Sequence, residues 1–290
     1  MTGFFWPAIL MGMNEVRRVN QYMAAGLVIG YAVTGLGLLA GWGLWALIAG
    51  QILIAVFPRL ACRVRVRSLI PPQFDSLPKM SWRNLWPVTW RAGLITLAMN
   101  LCVQATTLIC SWVTDLETTA KYGISLQLAL MLHQVAALWL VVKMPQISIL
   151  QGRGEWTEVH RLVKQRLGLT LATYGLGMVV LLLLGSWVLV RMGSHTTLLA
   201  AGPLLLMFTW IGMELFVGFH SAIVLTGNTT PHLVSYVIAG LAAVILGVML
   251  GRQFGVYGIM TGSILAQVGW NYWWVPRLAW RQLGRPLVRA

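Results

Sequence analysis

The stretch LGLTLATYGLGMVVLLLLGSWVLV, residues 167–190, contains no charged residue and is bracketed by Arg166 and Arg191. As an α-helix it would reach about 36 Å, enough to cross the roughly 30 Å hydrocarbon core of a bilayer. It is continuously apolar, does not alternate, and is about twice the length of a barrel strand, so it reads as a membrane-spanning helix. Working outward, similar runs appear at Tyr22–Ala40, Leu44–Leu60, Ala92–Val113, Gly123–Met144, Leu198–Leu225, Leu233–Leu250 and Gly255–Val275. The expected fold is therefore all-α, a polytopic membrane protein of about eight transmembrane helices. Gly41-Trp42-Gly43 is expected to form a tight turn between the first two.

Composition supports this class. The 290 residues are 58% hydrophobic and 10% charged, with a mean hydropathy of +0.75, whereas a soluble domain needs a far more charged surface. The net charge of +14 does not point to nucleic acid, because its Lys and Arg are not gathered on one patch. They follow the loops instead. Arg17 and Arg18 precede the first full span. Arg59, Arg63, Arg65, Arg67, Lys79, Arg83 and Arg91 lie between the second and third. Arg153, Arg161, Lys164 and Arg166 lie between the fourth and fifth, and Arg277, Arg281, Arg285 and Arg289 form the tail. The alternate connections hold only Lys121, Arg191 and Arg252. Positive residues mark the cytoplasmic side, so both ends of the eight-span unit are expected there, with anionic headgroups as electrostatic partners.

The start, Met1 to Met13, lacks the basic region and small-residue cleavage site of a signal peptide. Its apolar part, Phe4 to Met13, is too short to span and reads as the back end of a helix whose front is missing. Cys62, Cys102 and Cys110 have neither metal-ligand spacing nor a disulfide pattern. The longest connection, Cys62 to Arg91, is the natural boundary, interrupted by Pro71-Pro72. Within it, Ser81 is the expected N-cap of a short interfacial helix carrying Trp82, Trp86 and Trp90 on one face. Pro87 predicts a kink or restart before the third span.

Polar residues inside the spans are the candidates for function. Thr96, Asn100, Gln104, Thr107 and Ser111 recur at helical spacing on one face of span three, and Ser263, Gln267 and Asn271 repeat the pattern in span eight. In hydrocarbon such groups must face protein or water, so both stripes are expected to point into the bundle. They read either as a polar cavity for a hydrophilic substrate or as helix-to-helix hydrogen bonding. Glu214 is the only acid deep in a span, and must be protonated, paired or in a wet cavity. His220, six residues on, points about 120° away. His133 and Gln134 sit mid-span in the fourth helix, with Gln127 one heptad before Gln134. Lys143, followed by Pro145, is either a snorkelling anchor or a cationic contact for a phosphate-bearing substrate. His160 and His195 read as loop residues without partners. Gly26-x-x-x-Gly30 is a close-packing motif. No Ser-His-Asp arrangement, Walker A loop, GxSxG elbow or HExxH helix occurs, so nothing points to an enzyme, and no cofactor is called for.

Four local patterns carry a resemblance. They are Gly35-Leu-Gly37 … Gly41-Trp-Gly43-Leu44 … Gly50; Met144-Pro-Gln-Ile-Ser-Ile-Leu-Gln-Gly-Arg-Gly-Glu155, entering an amphipathic loop up to Arg166; Leu225-Thr-Gly-Asn-Thr-Thr-Pro231; and Phe254-Gly-Val-Tyr-Gly-Ile-Met-Thr-Gly262. In these the chain resembles the Wzx-type polysaccharide and O-antigen flippases of the multidrug/oligosaccharidyl-lipid/polysaccharide exporter superfamily. The resemblance implies two six-helix lobes, of which this chain matches the C-terminal two thirds. Residues 1–61 would be a remnant of the first lobe, 62–91 a basic cytoplasmic linker, and 92–290 the complete second lobe with its tail. The missing lobe or other glycan-assembly proteins would then be partners. The implied activity moves an undecaprenyl-pyrophosphate-linked oligosaccharide across the bacterial inner membrane by alternating access, which some members couple to a proton or sodium gradient. The substrate-binding residues it suggests are Arg91, Asn100, Gln104, Gln127, His133, Gln134, Lys143, Glu214, Gln267 and Asn271, with Arg91 and Lys143 nearest to a pyrophosphate. A drug or metabolite exporter of the same superfamily, or an inactive fragment, is the alternative.

Overall fold

The computed structural model describes residues 5–13, 15–69, 82–191, 193, 196–226 and 233–283. Among these residues every regular element is an α-helix. Six stretches are long and apolar enough to cross a membrane, so the chain is a polytopic all-α membrane protein. It divides into two compact units, Met1–Met80 and Ser81–Ala290.

The first unit holds α1 (Phe5–Gly12), α2 (Val16–Leu39) and α3 (Leu44–Leu69). The expected tight turn between the first two spans is present: Gly41 and Gly43 adopt φ of 78° and 55°, a left-handed backbone that side chains disfavour. The hairpin closes tightly at Gly26, where an added Cβ would lie 2.7 Å from Pro58 Cγ. Leu10, Val19, Cys62 and Val66 form the core. Above it Arg65 donates to the Glu15 carboxylate at 2.8 Å. That guanidinium holds the Glu15 carboxyl below its ordinary 4.5.

The second unit is built on α4 (Trp82–Val113), α5 (Leu116–Val141), α6 (Met144–Arg153), α7 (Trp156–Arg191), α8 (Ala201–Leu225), α9 (Leu233–Phe254), α10 (Val256–Gly269) and α11 (Asn271–Leu283). Helix α8 is its centre. Of its most apolar window 56% is buried inside the protein, against 11% for α7, whose apolar length is left for lipid. Leu204, Met207, Phe208, Trp210, Ile211 and Leu215 of α8 anchor the main core. The buried hydroxyl of Tyr174 donates to the Phe208 carbonyl at 2.7 Å and ties α7 to α8. Asp115 caps α5, accepting from the Thr118 amide at 3.0 Å and its hydroxyl at 2.6 Å. Helices α9 and α10 approach so closely that a Cβ on Gly262 would lie 2.8 Å from the Leu246 carbonyl carbon.

Several expectations are corrected. The eighth span is not one helix. Gly255 opens α10 with φ 57°, the helix ends at Gly269, and Trp270 leaves helical geometry (φ −146°, ψ −59°) before α11 begins. At 14 residues α10 reaches only about 21 Å. Leading into the third span there is no separate interfacial helix and no restart at Pro87: the backbone is one 32-residue helix, α4. The segment after Met144 is no loop; α6 and α7 meet at a tight turn where Gly154 takes φ 76°. His160 therefore sits on a helix, with its Nδ1 2.7 Å from the Trp156 carbonyl oxygen and its ring stacked on Trp280. His195, Pro71-Pro72 and Asn228-Thr229-Thr230 lie outside the described residues.

Candidate substrate pocket

Three helices of the second unit converge on a cavity of about 440 Å³. Helix α4 contributes Asn100, Val103 and Gln104, and α5 contributes Leu130, His133, Gln134, Ala137 and Leu140. From α8 come Ile211, Glu214, Leu215, Gly218, Phe219 and Ala222. The α8 set follows the i, i+3, i+4, i+7 rule of a single helix face, so one stripe supplies both the carboxyl and the apolar floor. The pocket therefore joins amides, an imidazole and a carboxyl to a hydrophobic wall, a surface able to meet both sugar or amine groups and apolar atoms.

Glu214 is the deepest of these groups. Gln267 of α10 donates its side-chain amide to the Glu214 carboxylate, and Trp210 lies one turn earlier on α8. Gln267 and Asn271 are both buried. The Gln267 carbonyl oxygen and both amide atoms of Asn271 find no hydrogen-bond partner among the described residues. A carboxyl thus stands at the end of an incompletely satisfied polar seam, the kind of place that buried water or an ion occupies.

The predicted site residues separate into three groups. Asn100, Gln104, His133, Gln134 and Glu214 line the one cavity. Gln267 and Asn271 stand behind it, inside the helix packing. Gln127 is exposed on α5 away from the pocket lining, and Lys143 caps α6, its ammonium bonded to the Gln146 carbonyl oxygen at 3.0 Å. The side chain of Arg91, like that of Thr96, lies outside those described. His220 is buried apart from Glu214, with its Nδ1 2.8 Å from the Phe216 carbonyl oxygen.

The stripe of α4 faces an open pocket rather than the packed core: Asn100 and Gln104 line the cavity. Asn100, Gln104 and Ser111 are exposed on their own unit and Thr107 is half-buried. The opposite side of α4 carries the buried Thr106, Ile109 and Cys110, and that side packs inward. Sequence reasoning also passed over the groups around Trp139. Its indole donates to the Thr173 hydroxyl at 2.8 Å, and the Arg166 guanidinium lies 5.9 Å from its ring centre. Among the described residues no three of His, Cys, Asp and Glu gather as metal ligands. Comparison with protein-family models, curated proteins and solved structures gives no match.

Proposed function

We propose that the chain is a membrane transporter of the multidrug/oligosaccharidyl-lipid/polysaccharide exporter superfamily, and that it flips an undecaprenyl-pyrophosphate-linked oligosaccharide. The observation that carries this reading is the pocket of Asn100, Gln104, His133, Gln134 and Glu214 in a protein otherwise built to face lipid. Amide side chains both donate and accept, as sugar hydroxyls require. Polar groups within membrane helices are expensive and mark substrate or ion paths. The basic loops favour a cytoplasmic location for both ends of the eight-run unit, so the lipid-linked glycan would enter from that side of a bacterial inner membrane. Glu214, with the unsatisfied polar seam of Gln267 and Asn271 behind it, is the group suited to couple transport to an ion gradient.

The test is genetic and chemical together. Loss of the gene should accumulate undecaprenyl-linked repeat units on the cytoplasmic side, and a copy carrying Asn100→Ala and Gln104→Ala should fail to clear them. No accumulation in a strain with an otherwise intact pathway would overturn the glycan reading. A second reading has one observation in its favour: no Lys or Arg is among the described residues lining the pocket, though a pyrophosphate calls for cations. A drug or metabolite exporter fits that lining, and drug sensitivity without a glycan defect would select it.

A further inference from the structure

A second groove, of about 510 Å³, runs between α8 and α11. Its wall is aromatic and apolar: Phe216 of α8 with Tyr272, Trp273, Pro276 and Trp280 of α11. Its cationic groups are Arg277 and Arg281, one helical turn apart on one face of α11. Both are exposed, and neither has an ion pair or hydrogen bond among the described residues. The nearest acid on α8, Glu214, is engaged by Gln267.

The wall is held from several directions. Phe216 and Tyr272 have ring centres 5.2 Å apart, and Tyr272 meets Trp273 edge-on at 5.2 Å. Trp280 stands between His160 at 5.9 Å and His220 at 6.2 Å. Asn271, Val275, Ala279 and Leu283 form the buried face of α11, while Trp273, Trp274, Arg277 and Arg281 are exposed. An amphipathic helix with Trp and Arg on its outer side belongs in the headgroup layer of a bilayer. There a guanidinium without a carboxylate partner meets lipid phosphate, whose oxygens match its fork of donors.

We propose that this groove docks one anionic phospholipid, its phosphate between Arg277 and Arg281 and its first acyl segment along Phe216, Tyr272 and Trp280. A free phosphate would use only the arginines and leave the aromatic wall uncovered; a lipid uses both. The site is separate from the polar pocket and does not depend on what the protein transports.

Native mass spectrometry of the purified full chain in neutral detergent, titrated with phosphatidylglycerol or phosphatidylcholine, tests the site. Phosphatidylglycerol should be retained at one per chain in clear preference to phosphatidylcholine, a comparison that needs no variant. Combined Arg277→Gln and Arg281→Gln should weaken its retention about thirtyfold, taking each cation near a membrane surface at its usual worth. Arg252→Gln removes an equally exposed cation that is not part of this groove and should change nothing. Tail-less glycerophosphoglycerol should not compete. Equal retention of the two lipids, undiminished binding by the double variant, or competition by the tail-less headgroup at the potency of the lipid would each overturn the proposal.

Discussion

Two stripes of similar sequence meet opposite fates in this molecule. Asn100, Gln104 and Ser111 of α4 are open to the surroundings of their unit, whereas Ser263, Gln267 and Asn271 of α10 and α11 are buried within it. Helical periodicity places Asn100, Gln104 and Ser111 on one face of α4 and Ser263 with Gln267 on one face of α10, while Asn271 opens α11 beyond the break at Trp270. What differs is what lies opposite. Helix α10 is pressed against α9 through Gly262 and reaches Glu214 of α8 through Gln267. Helix α4 packs with its other side, through Thr106, Ile109 and Cys110. A polar stripe can thus be internal glue on one helix and the lining of an open cavity on another.

The comparison can be broken most sharply at Gly262. Gly262→Leu should cost about 3 kcal/mol, because the new side chain meets the α9 backbone and cannot displace it. Thermal unfolding in detergent measures this; a loss below about 1 kcal/mol would show that the buried stripe is not locked. Gln267→Leu is the next largest. It leaves the Glu214 carboxyl without its donor and should cost about 1–3 kcal/mol. Asn271→Leu should behave differently from its neighbour. Its amide has no partner to lose among the described residues, so replacement should be neutral or stabilising by up to about 1 kcal/mol. Clear destabilisation there would reveal a bound water or ion in the seam.

On the open stripe, Asn100→Ala and Gln104→Ala should each change stability by no more than about 0.5 kcal/mol. On the proposed function, transport by these variants should nevertheless fall, while Ser111→Ala, outside the pocket lining, should leave both properties intact. A large stability loss from either pocket substitution would make the two stripes equivalent. The smallest effect lies in the first unit. The Glu15 carboxyl is held below 4.5 by Arg65, so its contribution is full above pH 4.5 and lost as pH falls through its lower folded-state value. Arg65→Gln should flatten that acid limb of a stability-against-pH curve, with the small loss present at neutral pH and gone in acid, where Glu15 is protonated in both proteins.

Much of this was legible without coordinates. Gly41 and Gly43 announced a turn because only glycine accepts their backbone without strain. Asn100, Gln104, His133, Gln134 and Glu214 stood out because polar groups in apolar runs need a reason. The break at Trp270 was not legible. Residues 269–275 are as apolar and aromatic as a continuing span, and only the packing of α10 and α11 shows where the axis turns. The turn at Gly154 was hidden similarly, since an amphipathic pattern fits a surface loop and a pair of short-linked helices equally. Nor could Gln267 be matched to Glu214 across 53 residues.

The sequence by itself determined the membrane class of this protein, because hydrocarbon leaves a backbone of apolar runs no choice but the helix. It also determined which residues share each helical face, since 3.6 residues per turn is a property of the chain alone. Which face turns inward was decided only by tertiary structure. That depends on partners far apart in sequence, such as Gly262 on Leu246, Gln267 on Glu214 and Tyr174 on Phe208. A helix reports its own periodicity, but the direction of that periodicity belongs to its neighbours.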